Sequence, residues 1–278
     1  MLFDSHAHIN FEGYTQEDRK QLIAEINESA LSNVMDIGFD MTSSVQAVEH
    51  ATENKWCYAV IGVHPYDAIK MTDEDIQKLR GLYEENKSQV KAIGEIGLDY
   101  HYDDTDIELQ KHWFRKQIQL ANQLKLPIVV HSRDADKDTM DILLEEGAFS
   151  EERLSWFPKR KGAGGIMYHD ARVLLHCFSG STETAREYVK LGGTLSVAGP
   201  VTFKNNRKTT QVVSEVPIEY WLVETDSPYL TPEPFRGKPN KPYYVEHTAR
   251  RVAVIKGISY EEVCEVTAQN AKVFFGID

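Results

Sequence analysis

Two histidines stand two positions apart near the start of the chain, in Phe3-Asp4-Ser5-His6-Ala7-His8. In a β-strand, residues two apart share a face, so this spacing aims both imidazoles at one point. Imidazole is a common metal ligand and also an ordinary surface group, so the pair gains meaning only from further ligand types elsewhere in the chain. Glu95 comes after the apolar run 90–94, His131 after 128–130, His176 after 173–175 and Asp226 after 221–223. Nitrogen and carboxylate oxygen together suit hard or borderline divalent cations, and such a set does not choose between Zn, Mg, Mn and Co. His6, His8, Glu95 and Asp226 suit one metal, and Glu95 as a bridge with His131 and His176 suits a second. Two such ions a few ångströms apart hold and deprotonate water, polarise a substrate oxygen and stabilise a leaving oxygen, which is hydrolytic chemistry.

The elements that must position these groups are legible as apolar runs at 2–9, 34–39, 58–63, 90–96, 127–131, 173–178, 193–198 and 221–224. Amphipathic helical patterns separate most of them. Residues 17–31, 72–84, 109–124 and 135–146 place apolar side chains at helical spacing, and Thr72 with Asp75 forms a capping pair. Strand alternating with helix, with no linker rich in Gly, Pro or Ser, predicts a (β/α)8 TIM barrel in one domain spanning residues 1–278. A doubly wound open sheet is the competing architecture, and the strand count disfavours it. Active sites of such barrels sit at the carboxyl-terminal ends of the strands, where the candidate ligands fall.

A chain of 278 residues with 41% hydrophobic content can bury a large core. No apolar run approaches the roughly 18 residues of a spanning helix, and Asp4 and His6 stand where a signal peptide would be basic and then apolar, so the expectation is a cytoplasmic protein with no membrane partner. Cys57, Cys177 and Cys264 are scattered, which suggests small buried hydrophobes rather than a disulfide framework. The net charge of −12 disfavours long-range attraction to nucleic acid. A polyanionic substrate would need local compensation from metal cations or from basic residues at one mouth of the fold.

The motifs Asp4-Ser5-His6-Ala7-His8, Gly62-Val63-His64-Pro65, Gly94-Glu95-Ile96-Gly97-Leu98-Asp99-Tyr100, His131-Ser132-Arg133, Leu175-His176-Cys177-Phe178-Ser179-Gly180 and Glu224-Thr225-Asp226-Ser227-Pro228 resemble the successive motifs of the TatD family of metal-dependent deoxyribonucleases. Thr267-Ala268-Gln269-Asn270-Ala271 resembles the family ending. The resemblance implies a TIM barrel of the amidohydrolase type, two metals and sometimes more, and hydrolysis of phosphodiester bonds in DNA. Transferred by position, it makes His6, His8, Glu95 and Asp226 ligands of one metal and Glu95, His131 and His176 ligands of the other. Asp226 would also serve as general base. Glu224 either touches a further metal or orients a ligand, or it is a carboxylate buried in a polar barrel layer.

Phosphate must be held as well as attacked. Arg133 can fork to phosphate oxygens, Lys204 and Arg207 belong to a basic loop after the seventh strand, and His64 is expected to stand behind the metal ligands or to contact phosphate rather than to bind metal itself. Tyr100, Tyr102, Phe203 and Tyr229 come after strand ends and can stack on bases, whereas His50, His112 and His247 are surface or packing residues. The leading expectation is a nuclease acting on single-stranded or end-bound DNA, with no obligate protein partner. An amidohydrolase of a small amide, lactone or aminoacyl ester is the alternative, and a non-catalytic metal-binding barrel is the remote one. The chain departs from the family pattern in the long interval between His131 and His176. The extra length at 149–171 carries Trp156, Phe157, Lys159-Arg160-Lys161 and Gly162-Ala163-Gly164-Gly165. It joins a helix to a strand, so it belongs on the face opposite the catalytic mouth.

Overall fold

The computed structural model describes residues 1–102, 106–162 and 165–278. Eight parallel strands close nearly into a barrel with helices between them: β1 (Leu2–Ala7), β2 (Leu31–Ile37), β3 (Cys57–Ile61), β4 (Val90–Asp99), β5 (Ile128–Arg133), β8 (Val173–Leu175), β9 (Thr194–Val197) and β10 (Trp221–Val223). A separate hairpin of β6 (Arg160–Lys161) and β7 (Met167–Tyr168) stands between the fifth and sixth barrel strands in the chain. Each barrel strand pairs with its neighbour in that order. The strands read as continuous apolar runs because both of their faces are buried. One set of side chains, Phe3, Met35, Val60, Ala92, Val129, Leu174 and Leu222, fills the interior. The alternate set packs outward on the helices.

The expected helices are present as α1 (Gln16–Glu28), α4 (Asp73–Glu85), α5 (Ile107–Leu124) and α6 (Asp136–Glu145). Beside them lie α2 (Met41–Glu53), α3 (Pro65–Ala68), α7 (Glu151–Trp156), α8 (Thr182–Leu191), α9 (Arg207–Glu215), α10 (Val245–Lys256) and α11 (Tyr260–Phe275). The Thr72–Asp75 pair caps α4 as a reciprocal box. The last helix, α11, stoppers the barrel interior at the amino-terminal ends of its strands. Phe274, Phe275 and Ile277 join the interior layer, and Phe275 stacks on Phe3 with ring centroids 6.3 Å apart. Access to the interior is therefore from the other end. Among the described residues, no helix is long and apolar enough to cross a membrane.

Several strands stop sooner than the apolar runs suggest. His8 lies beyond β1 and His176 beyond β8, because the ladder ends where the chain turns into the loops of the open end. β4 is longer than expected, and its last residues pair with β5 as far as Arg133.

Residues 149–171 hold α7 and the antiparallel β6–β7 hairpin. Ala163 and Gly164 of the glycine-rich run lie outside the described residues. The hairpin sits at the stoppered end, since Arg160 donates to the Glu219 carbonyl before β10 and to the hydroxyl of Thr194, the first residue of β9. The basic triplet is not a uniform surface patch. Arg160 is buried and pairs with buried Asp170 at 3.0 Å, while Lys159 and Lys161 are exposed. Arg160→Ala should therefore lower the unfolding free energy by roughly 3–5 kcal/mol, the usual cost of stranding a buried charge. The double change Lys159→Ser and Lys161→Ser should shift it by no more than about 0.5 kcal/mol. Urea denaturation of both proteins checks this, and equal effects would contradict the assignment.

Candidate metal centre

The first ligand pair depends on how the barrel closes. β1 and β10 share no regular ladder among the described residues, only the isolated bridge between Ala7 and Ser227. Asp4 holds the seam instead: its carboxyl accepts from the Thr225 backbone N–H at 2.9 Å and meets the Thr225 hydroxyl at 2.6 Å. Burial pushes the Asp4 carboxyl well above the usual carboxylate range, against the pull of Thr225. Immediately above, Asp226 N–H donates to the His6 carbonyl and His8 N–H to the Ser227 carbonyl, both at 2.8 Å. These bonds bring His6, His8 and Asp226 together from opposite ends of the sequence.

Glu95 is placed by a close approach of β4 to β5. Gly97 has φ +148, and a Cβ there would lie 1.9 Å from the His131 carbonyl oxygen. A Cβ on Gly94 would lie 2.7 Å from the Val129 Cβ. Only glycines allow the two strands this spacing. The Glu95 carboxylate then divides its oxygens. Oε1 is 2.6 Å from His176 Nε2 and 2.9 Å from His131 Nδ1. Oε2 is 3.4 Å from His6 Nε2 and 4.0 Å from His8 Nε2. Asp226 Oδ1 completes this second side, 3.7 Å from His6 Nε2 and 3.4 Å from His8 Nε2.

The separations of 3.4–4.0 Å on the Oε2 side fit metal binding, because ligands about 2.1 Å from a tetrahedral centre stand about 3.4 Å from one another, whereas the shorter ones on the Oε1 side are hydrogen-bond lengths. His6 adds a sharper observation. Its ring is fully buried, and neither nitrogen has a hydrogen-bond partner. A buried imidazole left so is costly unless a cation takes the nitrogen. Three of the other rings have fixed orientations. His8 Nδ1 donates to the Ile37 carbonyl at 2.9 Å, leaving Nε2 bare toward the cluster. His131 Nε2 faces Asp99 Oδ2 at 3.0 Å, and His176 Nδ1 faces Glu224 Oε1 at 3.4 Å. Such outer partners set the tautomer and raise ligand basicity.

Glu224 thus stands behind His176, and its Oε1 also accepts from the Cys177 backbone N–H at 2.7 Å. His64 lies close enough to Glu95 and His131 to form a third group of donors. Its Nδ1, however, accepts from the Tyr66 backbone N–H at 3.2 Å, so the neutral ring carries its proton on Nε2. Burial and the neighbouring His131 push its pKa down to about 3. His64 is thus a neutral ring whose Nδ1 is already engaged by the backbone.

Arg133 is exposed and lines both cavities that open over the centre, one of about 570 Å³ and one of about 360 Å³. Lys204 is also exposed but lines neither, so the structure does not bring it to the cavity wall. Asp99 carries a role that sequence reasoning does not assign, with its presence in the Gly94–Tyr100 motif as the one available signal. His50, expected at the surface or in packing, is buried and meets Asp36 at 2.7 Å. Asp36 in turn accepts from the backbone of Ile9 at 2.9 Å and so fixes the turn after His8.

The electrostatics of the cluster arise from its crowding. Burial opposes charge on every member. At Glu95 the surrounding imidazoles, His176 and His6 foremost, overcome it and hold the carboxyl well below its usual range. At His176, burial is outweighed by Glu95 and Glu224, and at His131 by Asp99 and Glu95, so both rings are raised. Protons on these imidazoles balance the carboxylates when no cation does. Because a metal ligand must be a neutral imidazole, metal loading should release protons, and affinity should go on rising with pH above the ordinary imidazole range, since both rings are raised. Calorimetric titration in buffers of different ionisation enthalpy tests this. Heats independent of the buffer would exclude it.

The family model for TatD related DNases matches residues 3–276. The uncharacterized metal-dependent hydrolase YabD of Bacillus subtilis (strain 168) is 44% identical over 278 residues, covering 100% of both chains. The uncharacterized metal-dependent hydrolase YcfH of Escherichia coli (strain K12) is 34% identical over 280 residues, covering 100% of this chain and 96% of that one. The crystal structure of YjjV, a TatD homologue from Escherichia coli K12, superposes with a TM-score of 0.86 at 24% identity over 100% of this chain and 98% of the other. The barrel, its paired donor groups and these matches converge: the chain belongs to the TatD-related DNase family of metal-dependent hydrolases.

Proposed function

We propose that the protein is a cytoplasmic deoxyribonuclease that hydrolyses phosphodiester bonds at single-stranded ends of DNA. The observation that carries this reading is the exposed guanidinium of Arg133 on the walls of both cavities, beside two donor groups that share Glu95. His6, His8, Glu95 and Asp226 would hold one divalent cation, and Glu95, His131 and His176 the other. When bound, the cations lower the pKa of water and neutralise charge on phosphoryl oxygens.

The chain's own residues supply the rest. Arg133 presents a planar fork to two phosphate oxygens and fixes the phosphorus in place. His64, neutral with its proton on Nε2, donates to a further oxygen. Asp226 is ionised at neutral pH, because His8 and His6 overcome the burial that opposes its charge, so it can accept the proton of the attacking water. The stoppered barrel admits substrate only from the strand ends that carry the donors. A cavity of about 570 Å³ lies over the donors, and in this reading it receives a single-stranded end.

Asp226 and Glu95 play different parts in this mechanism. Glu95→Ala should empty or weaken both sites. Asp226→Asn should keep much of the metal and lose on the order of 10²-fold in rate. Metal analysis of the two purified variants decides between these roles, and equal metal loss in both would remove the distinction.

End-labelled single-stranded DNA assayed against a panel of carbonyl esters, with each metal in turn, tests the substrate class. Arg133→Ala should lower kcat/KM on DNA by roughly tenfold to a hundredfold, the worth of a charge-assisted contact. Efficient turnover of an ester without phosphate, with DNA hydrolysis indifferent to this substitution, would replace the nuclease with a small-molecule hydrolase.

A further inference from the structure

The mouth above the metal centre has two lobes rather than one. They share His131, Arg133, His176, Asp226 and Leu230, so a phosphodiester held there projects one substituent into each. Their linings differ in kind. The larger lobe is aromatic, and three of its tyrosines keep much of their surface open: Tyr66 is 37% exposed, Tyr102 51% and Tyr229 51%.

Loop aromatics often pack on their own scaffold, and two others near the mouth do. Tyr100 gives its hydroxyl hydrogen to Asp138 at 2.9 Å, and Phe203 lies under the Arg236 guanidinium at 4.3 Å. Tyr102 also meets its neighbour His101 edge-on, at 5.0 Å, but it lines the cavity and stays half exposed. Its ring centroid is 5.4 Å from that of Tyr66, and the Arg133 guanidinium stands 5.7 Å over it. That places a stacking surface directly beside the group proposed to hold phosphate.

Charge separates the lobes further. Besides the carboxylates clustered with the histidines at its floor, the larger lobe carries Glu12 and Asp67, and Arg133 is its one guanidinium among the described residues. A second phosphate there would meet like charge, whereas a neutral base would not. The smaller lobe has, among the described residues, Asp226 as its one carboxylate and is lined by Asn206 and Thr209 at the start of α9. Exposed Lys204, Arg207 and Lys208 flank that helix start.

We propose that the larger lobe is a nucleobase subsite, a reading that rests on the phosphodiesterase function proposed for the site. The base of the terminal nucleotide stacks on Tyr102 with the inclined Tyr66 ring at its edge, its phosphate is held by Arg133 at the junction, and the rest of the strand leaves over the smaller lobe past Lys204 and Arg207. Stacking recognises any base, because each has a π-face. The subsite therefore selects for the presence of a base and not for its identity.

The test uses metal-loaded protein and short single strands with either an ordinary nucleotide or a tetrahydrofuran abasic residue at one end, made for each end in turn. At the end that is cleaved, wild-type protein should prefer the base-bearing strand by roughly tenfold in kcat/KM. Tyr102→Ala should collapse that ratio toward one, and Tyr102→Phe should keep it. Fluorescent 2-aminopurine at that end should be quenched on binding to wild type and not to Tyr102→Ala. A wild-type enzyme indifferent to the missing base, or a Tyr102→Ala variant that slows both strands equally, would overturn the subsite. Failure of wild type to cleave either strand at either end would instead overturn the phosphodiesterase reading, and the subsite with it.

Discussion

The placement of the metal ligands depends on the seam between β1 and β10, fastened by the Asp4 carboxyl on Thr225 and by the Ser5 hydroxyl on the Val223 carbonyl at 3.0 Å. β1 and β10 come from opposite ends of the chain and share a single bridge, so a regular ladder does not register them. Asp4 provides the register through the backbone and hydroxyl of Thr225. Once it is set, the neighbouring residues fall into place: His6 accepts from Asp226, and His8 donates to Ser227. Shifting this register by one residue would turn His6 and His8 away from Asp226, since successive strand residues point to opposite faces. Burial raises the Asp4 carboxyl, and nearby Glu224 works in the same direction. A carboxyl kept toward its neutral form closes the seam without adding another negative charge beneath the cluster.

Above the seam, the cluster is a problem in charge that no single residue resolves. Glu95, Asp226, Asp99 and Glu224 surround four imidazoles in a largely buried volume. Glu95 is the pivot, with one oxygen turned to each group of donors. Its position rests on Gly94 and Gly97, whose missing side chains let β4 lie against β5. Backbone spacing and ligand geometry are therefore one constraint. A side chain at Gly97 would push His131 and Glu95 apart together.

Much of this is legible in the sequence. Periodicity locates all eight barrel strands, and the polar residues after them locate the donors, because both signals are local. What stays hidden depends on side-chain direction and on distant partners. Lys159-Arg160-Lys161 reads as one basic stretch, yet strand alternation turns Arg160 inward to Asp170 and leaves its neighbours in solvent. His50 carries no motif, and only the fold sets it against Asp36. Lys204 lies in the expected loop, but the turn before α9 carries it past the cavity wall, which Asn206 and Thr209 occupy instead. Asp99 shares a motif with Glu95, and its bond to His131 depends on strand pairing that no local pattern reports.

The two ends of the barrel also divide the labour between stability and recognition. The stoppered end is held by Phe274, Phe275 and Ile277 and by the hairpin anchored through Arg160, none of which approaches the donors. The open end carries every candidate ligand, the exposed tyrosines and Arg133. A protein with a net charge of −12 repels a polyanion at long range, and salt weakens that repulsion. The contacts that favour binding are of a different kind. In the proposed complex, coordination, one guanidinium and aromatic stacking would act at van der Waals or hydrogen-bond distance in a partly enclosed cavity, where screening is weaker. On the proposed function, such a surface would discriminate by requiring a strand end to reach the floor. The acidic exterior and the cation-binding interior are thus consistent with each other: the first discourages nonspecific association with nucleic acid, and the second would confine attraction of the proposed substrate to the donors.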